Sequence, residues 1–93
     1  MKITIALIDK LIRLRNGETL PASQLKGEWV EDLVRDGVLI STSHGSRRTL
    51  FAPNVETLCK ALASVDERFI DIELLRETLL SENALRSPQA SST

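Results

Sequence analysis

The sequence predicts a mainly α-helical domain that contains one small antiparallel β-hairpin. Apolar residues recur at helical spacing near the start, in the middle and in the last third of the chain. Residues 38–52, by contrast, are rich in aliphatic and β-branched residues and are divided by the turn-forming sequence Ser43–Ser46. The 93 residues suffice for one domain with a modest core, which we expect over residues 1–83. Residues 84–93 have the composition of a flexible tail or linker.

The first helix is expected over residues 3–15, and Asn16–Gly17 ends it. Its apolar side is unusually wide and consists of Ile5, Leu7, Ile8, Leu11, Ile12 and Leu14. So wide a face favours a core helix that touches its neighbours and the sheet; an intermolecular contact is the alternative. After it, Glu18–Leu20 suits a short strand. Pro21–Lys26 suits a short helix, because a proline is tolerated in a first turn.

The next helix is expected over residues 28–36, with its apolar and charged residues on opposite sides. The apolar stripe consists of Trp29, Val30, Leu33 and Val34. We expect Trp29, the sole tryptophan, to be buried against the first helix. Gly37 ends the helix, because a residue without a Cβ can take the left-handed conformation of a helix C-terminus.

The hairpin follows directly, with expected strands at Val38–Ile40 and Arg47–Ala52 on either side of the turn. Pro53 ends the second strand, because proline has no N–H to donate to a sheet. The turn and the start of the second strand are basic, and no acid occurs between residues 37 and 55.

Two further helices complete the prediction. Asn54 is a suitable N-cap for a helix to about Ser64, whose inward residues are expected to be Val55, Leu58, Cys59 and Leu62. Asp71 can cap a last helix that runs to about Glu82. Phe69 and Ile70 are expected to anchor the connection to the core.

Composition excludes several classes of protein. The longest apolar run has four residues, whereas a membrane-spanning helix needs about 20. The single cysteine, Cys59, excludes an internal disulfide, and a cytoplasmic location is the simplest expectation. We expect Cys59 to be a buried thiol on an apolar stripe.

The sequence has no signature of catalysis or of cofactor binding. The only histidine, His44, lies in the predicted turn without an acid or base close in sequence, which favours a solvated turn residue. One histidine, one cysteine and scattered carboxylates do not give the clustered ligand spacing that zinc requires. Glycine-rich phosphate-binding loops are also missing. We therefore expect no enzyme activity, no cofactor and no metal.

The segment Leu33–Leu39, a helix end followed by glycine and an aliphatic strand, resembles the junction that leads into the wing of the winged helix-turn-helix superfamily. The order of predicted elements over residues 4–65 resembles the same architecture, although Pro21–Lys26 is shorter than the equivalent helix. This resemblance implies a winged helix-turn-helix with additional C-terminal helices. It also implies a DNA-binding or regulatory module that contacts duplex DNA through the wing residues His44, Gly45, Ser46, Arg47 and Arg48, with the basic first helix adding to the field.

The distribution of charge leaves other functions open. Residues 28–36 have a net charge of −3, and an acidic helix is repelled by phosphates. A protein-interaction module with an acidic third helix is therefore one alternative. An N-terminal accessory domain of a larger enzyme is another. The wide apolar faces of the first and last helices also predict a homodimer.

Overall fold

The computed structural model describes residues 2–86, which are mainly helical with a small antiparallel sheet, as the sequence predicts. The α-helices are α1 (Ile5–Arg15), α2 (Glu28–Arg35), α3 (Val55–Val65) and α4 (Ile72–Arg86). The strands are β1 (Leu20–Pro21), β2 (Ile40–His44) and β3 (Arg47–Phe51), and 3₁₀-helices occupy Ala22–Gln24 and Glu67–Asp71. The helix expected at Pro21–Lys26 is therefore reduced to a single 3₁₀ turn.

A hydrogen-bonded glycine stop joins α2 to β2. Gly37 has φ +80°, its N–H donates to the Val34 carbonyl at 3.1 Å, and the Val38 N–H donates to the Leu33 carbonyl at 2.9 Å. The Leu39 N–H also donates to the Leu33 carbonyl, at 3.2 Å. These bonds occupy the N–H groups of Val38 and Leu39, so neither N–H can donate to a strand ladder. The predicted strand over Val38–Ile40 therefore starts only at its last residue, and the first two are buried in a bend.

The sheet has the strand order β1-β3-β2, and both pairings are antiparallel. β1 is very short: Leu20 pairs with Leu50 and Pro21 with Thr49. It overlaps the strand expected at Glu18–Leu20 only at Leu20. Because Leu20 and Leu50 are both buried, this pair faces the core.

One hydrophobic core lies between the helices and the inner face of the sheet. Its largest fully buried side chains include Phe69, Ile8, Leu11, Leu14, Leu58 and Leu62. α1 packs against α3, α4 and β1, as expected for a core helix with a wide apolar side. Two ion pairs also join α1 to α4: Asp9 to Arg76 at 2.7 Å and Arg15 to Glu73 at 3.7 Å.

Trp29 is only half-buried, so the prediction of a buried tryptophan is wrong in its extent. Its ring lies in the first turn of α2 beside Gly27, where an added Cβ would be 2.7 Å from the indole Nε1. Across a shallow groove, the side chain faces Ala61 and Val65 of α3. Because Trp29 lies in the first turn of a short helix, part of its side chain remains exposed to solvent.

Cys59 is exposed, and the prediction of a buried thiol is wrong. The apolar side of α3 is centred on Leu58 and Leu62, both fully buried. Val55 and Cys59, one turn apart, share a strip that faces solvent instead. The helix is rotated relative to the expected stripe because the core contacts the side that includes Ala61 and Val65.

The connection to α4 also differs from the prediction. Phe69 is buried, as expected, but Ile70 is 75% exposed and anchors nothing. Asp71 caps α4 as predicted, its Oδ1 accepting from the Leu74 N–H at 3.0 Å. α4 then continues to Arg86, so residues 84–86 of the predicted tail are helical. Residues 87–93, the rest of that tail, lie outside the described residues.

Candidate nucleic-acid interface

The five predicted contact residues lie together at the end of the β2–β3 hairpin and are all exposed. His44 pairs with Arg47, so the loop contains only Gly45 and Ser46. Gly45 has a positive φ of +63°, whereas the φ of Ser46 is not positive. This pattern fits a type II′ turn, whose twist matches that of the two strands and which favours glycine at its first position. The turn therefore presents a narrow tip with Arg47 at its base.

The strand register separates the two arginines onto opposite faces of the hairpin. Leu50 is buried opposite Ser41, and Arg48 opposite Ser43 belongs to the same face because side chains alternate along a strand. Arg47 belongs to the other, outer face, together with His44. The two arginines of the hairpin therefore have different cross-strand neighbours.

Arg48 is held by two partners on the inner side of the hairpin. Its Nε donates to the Ser41 hydroxyl on the neighbouring strand. Its Nη2 lies 3.6 Å from Oε1 of Glu31, which belongs to α2. The side chains of Arg48 and Glu31 remain 43% and 64% exposed, so the ion pair is solvated and weak.

Arg47 has a different environment. Within residues 2–86, no carboxylate oxygen lies within 4.0 Å of its guanidinium. Its cross-strand neighbour is the exposed His44, and the next pair on the outer face is Thr42 with Thr49. Hydroxyl, imidazole and guanidinium groups are all suited to phosphate oxygens. The outer tip therefore carries an exposed arginine without an acidic partner in residues 2–86.

A shallow groove continues this basic surface toward β1. It has a volume of about 480 Å³ and is lined by Pro21, Ala22, Ser23, Ser46, Arg47, Arg48 and Thr49. Among residues 2–86, no acidic side chain lines this groove. Since β1 pairs with β3 only at Thr49 and Leu50, the start of β3 is open along the groove.

The neighbouring groove beside α2 has the opposite character. It has a volume of about 510 Å³, and Glu28 and Glu31 lie among its lining residues with Lys26 and Arg48. Asp32 of α2 and its C-cap residue Asp36 are also exposed, and Asp32 forms an ion pair with Arg35 of the same helix. Carboxylates accept hydrogen bonds from cytosine but repel phosphates, so α2 is poorly suited to lie in a DNA groove.

The arginines of α1 are also neutralised. Arg13 forms an ion pair with Glu18 at 3.0 Å, and Arg15 lies 3.7 Å from Glu73. The expectation that α1 adds a positive field is therefore weaker than its sequence charge indicates.

An apolar pair occupies the base of the hairpin's outer face. Ile40 lies opposite Phe51, and the two are 47% and 37% exposed. Sequence reasoning missed this pair, although counting alternate residues back from the His44–Arg47 pair would have assigned both to the outer face. It also missed Glu31 and Ser41 as partners of Arg48. Ser41 was accessible to the same counting, whereas Glu31 was not, because it is distant in sequence.

Ionisable groups elsewhere do not indicate a second site. Hydrogen bonds from the Arg68 side chain, followed by one from the Arg68 backbone N–H, lower the pKa of Asp66 to about 2. This contact connects α3 to the following 3₁₀-helix.

Among the described residues, no group of three or more metal-ligating side chains could hold a metal ion. No helix in residues 2–86 combines the length and apolar character needed to cross a bilayer.

Comparisons of the chain with protein-family models, curated proteins and solved structures find no match in any of the three.

Proposed function

We propose that this protein is a winged-helix module that binds duplex DNA mainly through the tip of its β2–β3 hairpin. The order of elements supports the architecture: α1, β1, α2 and the hairpin follow one another, and β1 joins the hairpin sheet beside β3. The observation that carries the functional proposal is the outer tip, where Arg47 and His44 are exposed and Arg47 has no acid within 4.0 Å in residues 2–86.

The binding mode follows from the distribution of charge. Arg47 neutralises a phosphate and releases condensed counterions, which favours binding to any sequence. The hydroxyls of Ser46 and Ser23 line the adjacent groove and can donate to the same backbone. The acidic α2 stays outside the major groove, because its carboxylates would meet the phosphates. The proposed module therefore binds DNA with little sequence preference.

A salt titration tests this proposal. We expect the wild-type domain to bind a random-sequence duplex at low salt and to lose affinity as salt increases. Arg47→Ala should weaken binding to every duplex and flatten the log–log salt slope by about 0.9, the value for one phosphate contact. Fluorescence anisotropy at several salt concentrations measures both quantities.

Arg35→Ala is the matched control, because it removes an exposed arginine from α2 whose charge is already paired with Asp32. It should leave the salt slope unchanged. Absence of duplex binding by the wild-type protein, even at low salt, would refute the proposed function.

A protein-interaction module is the second candidate, and the exposed Ile40–Phe51 pair favours it. This pair and the acidic surface of α2 would suit a partner with an apolar anchor and basic flanks. In that case neutralising Glu28 and Asp32 would abolish partner binding. Arg47→Ala would have little effect.

A further inference from the structure

Two adjacent carboxylates of α2 have different partners. Glu31 lies against the hairpin, 3.6 Å from Arg48. Asp32 is on another side of the helix, where it pairs with Arg35 and lines the groove between α2 and α3. The two acids have the same charge and similar exposure. Of these two acids, Glu31 is the one that can compete with a ligand for an arginine of the hairpin.

We propose that Glu31 masks the charge of Arg48, so that the hairpin binds DNA phosphate through Arg47, and Arg48 is a second, exposed contact whose charge is occupied by its ion pair with Glu31. This inference rests on the proposed DNA binding and assigns different roles to the two arginines. Arg47 contacts phosphate directly. Glu31 does not contact DNA and acts only by competing with phosphate for Arg48.

The ion pair by which Glu31 masks Arg48 is weak, because both side chains are solvated. An exposed carboxylate–guanidinium pair contributes little in water, and its screening increases with salt. The hydrogen bond from the Arg48 Nε to Ser41 keeps the guanidinium near the hairpin when Glu31 is neutralised. Removing the charge of Glu31 should therefore leave Arg48 in place and make it available to a phosphate.

The test compares Glu31→Gln with Asp32→Asn in duplex titrations over a range of salt concentrations. Glu31→Gln should increase affinity roughly two- to five-fold at low salt and steepen the log–log salt slope by about 0.9. Asp32→Asn makes the same change in net charge but frees no hairpin arginine. It should leave the slope unchanged.

Arg48→Ala and the double variant Glu31→Gln/Arg48→Ala separate masking from simple repulsion. Arg48→Ala alone should keep the wild-type slope, and the double variant should lose the increase that Glu31→Gln produces. If Glu31→Gln still increases DNA affinity when Arg48 is replaced by alanine, Glu31 only repels DNA and the proposal is wrong. The proposal is also overturned if Arg47→Ala and Arg48→Ala flatten the slope equally. By contrast, failure of every variant and of the wild type to bind refutes DNA binding itself.

Discussion

Phe69 and Ile70 are adjacent in the sequence but have opposite environments. Phe69 is buried in the core, and Ile70 is 75% exposed. Successive residues of a 3₁₀-helix are about 120° apart, so a short helix of this kind cannot bury both against one surface. The sequence shows two large apolar residues here without indicating which one is inside.

We expect Phe69→Ala to destabilise the domain by about 3–5 kcal/mol, because it leaves a cavity in the only core of the described chain. Such a loss is a large fraction of the stability of a domain of this size. Ile70→Ala is the matched control and should change the free energy of unfolding by less than about 0.5 kcal/mol. Urea denaturation followed by circular dichroism measures both variants. Equal losses in the free energy of unfolding would show that the Ile70 side chain is buried in solution.

At the scale of elements, the glycine stop after α2 sets the direction of the hairpin. Gly37 has a left-handed backbone, and a Cβ added there would meet no atom within 4 Å. A substitution at this position is therefore strained by its backbone conformation and not by crowding.

Gly37→Ala should cost about 1–2 kcal/mol of stability, the penalty for a left-handed L-residue. Gly37→Asn should cost less, because asparagine adopts this conformation more readily. Thermal unfolding followed by circular dichroism shows which of the two variants is more stable. If alanine and asparagine were equally costly, backbone conformation would not explain the role of Gly37.

The hairpin shows how strand alternation decides the chemistry of adjacent residues. Arg47 and Arg48 are equivalent in a charge count, yet one faces solvent beside His44 and the other contacts Glu31. The two-residue loop is sufficient to determine this difference, because it fixes which residues are paired.

At the scale of the whole molecule, α1 and α4 pack against each other, but only part of the apolar surface of α4 is buried. α1 packs on α4 and is joined to it by Asp9–Arg76 and Arg15–Glu73. The exposed leucines of α4, Leu74 and Leu80, remain available to a second copy. A homodimer through the first and last helices stays a prediction. The exposed leucines make α4 the expected contact between the two copies.

If that prediction is right, light scattering at high micromolar concentration should give twice the chain mass of 10.3 kDa. Leu74→Glu should then restore the single-chain mass, because it adds a charge to an already acidic helix surface. Ala6→Glu on the exposed side of α1 is the control and should leave the mass unchanged. A wild-type protein of single-chain mass would exclude the dimer.

The sequence by itself determined most of the secondary structure of this protein. Helical spacing located the α-helices, and caps and glycines located their ends at Asn54, Asp71, Gly17 and Gly37. These signals are local: they depend on side-chain periodicity and on hydrogen bonds between residues close in the chain. The basic hairpin tip was also predicted, because turn residues and charge are visible without a fold.

Only the tertiary structure decided which faces are covered. The rotation of α3 exposes Cys59, and Trp29, in the first turn of α2, is half-buried. The Arg48–Glu31 pair joins residues 17 positions apart on different elements. Burial and ion pairing depend on contacts between elements, and the pattern within one element does not encode the angle at which it meets the next. For this reason the sequence predicted a basic hairpin, and the fold decided that one of its arginines lies beside an acid of α2.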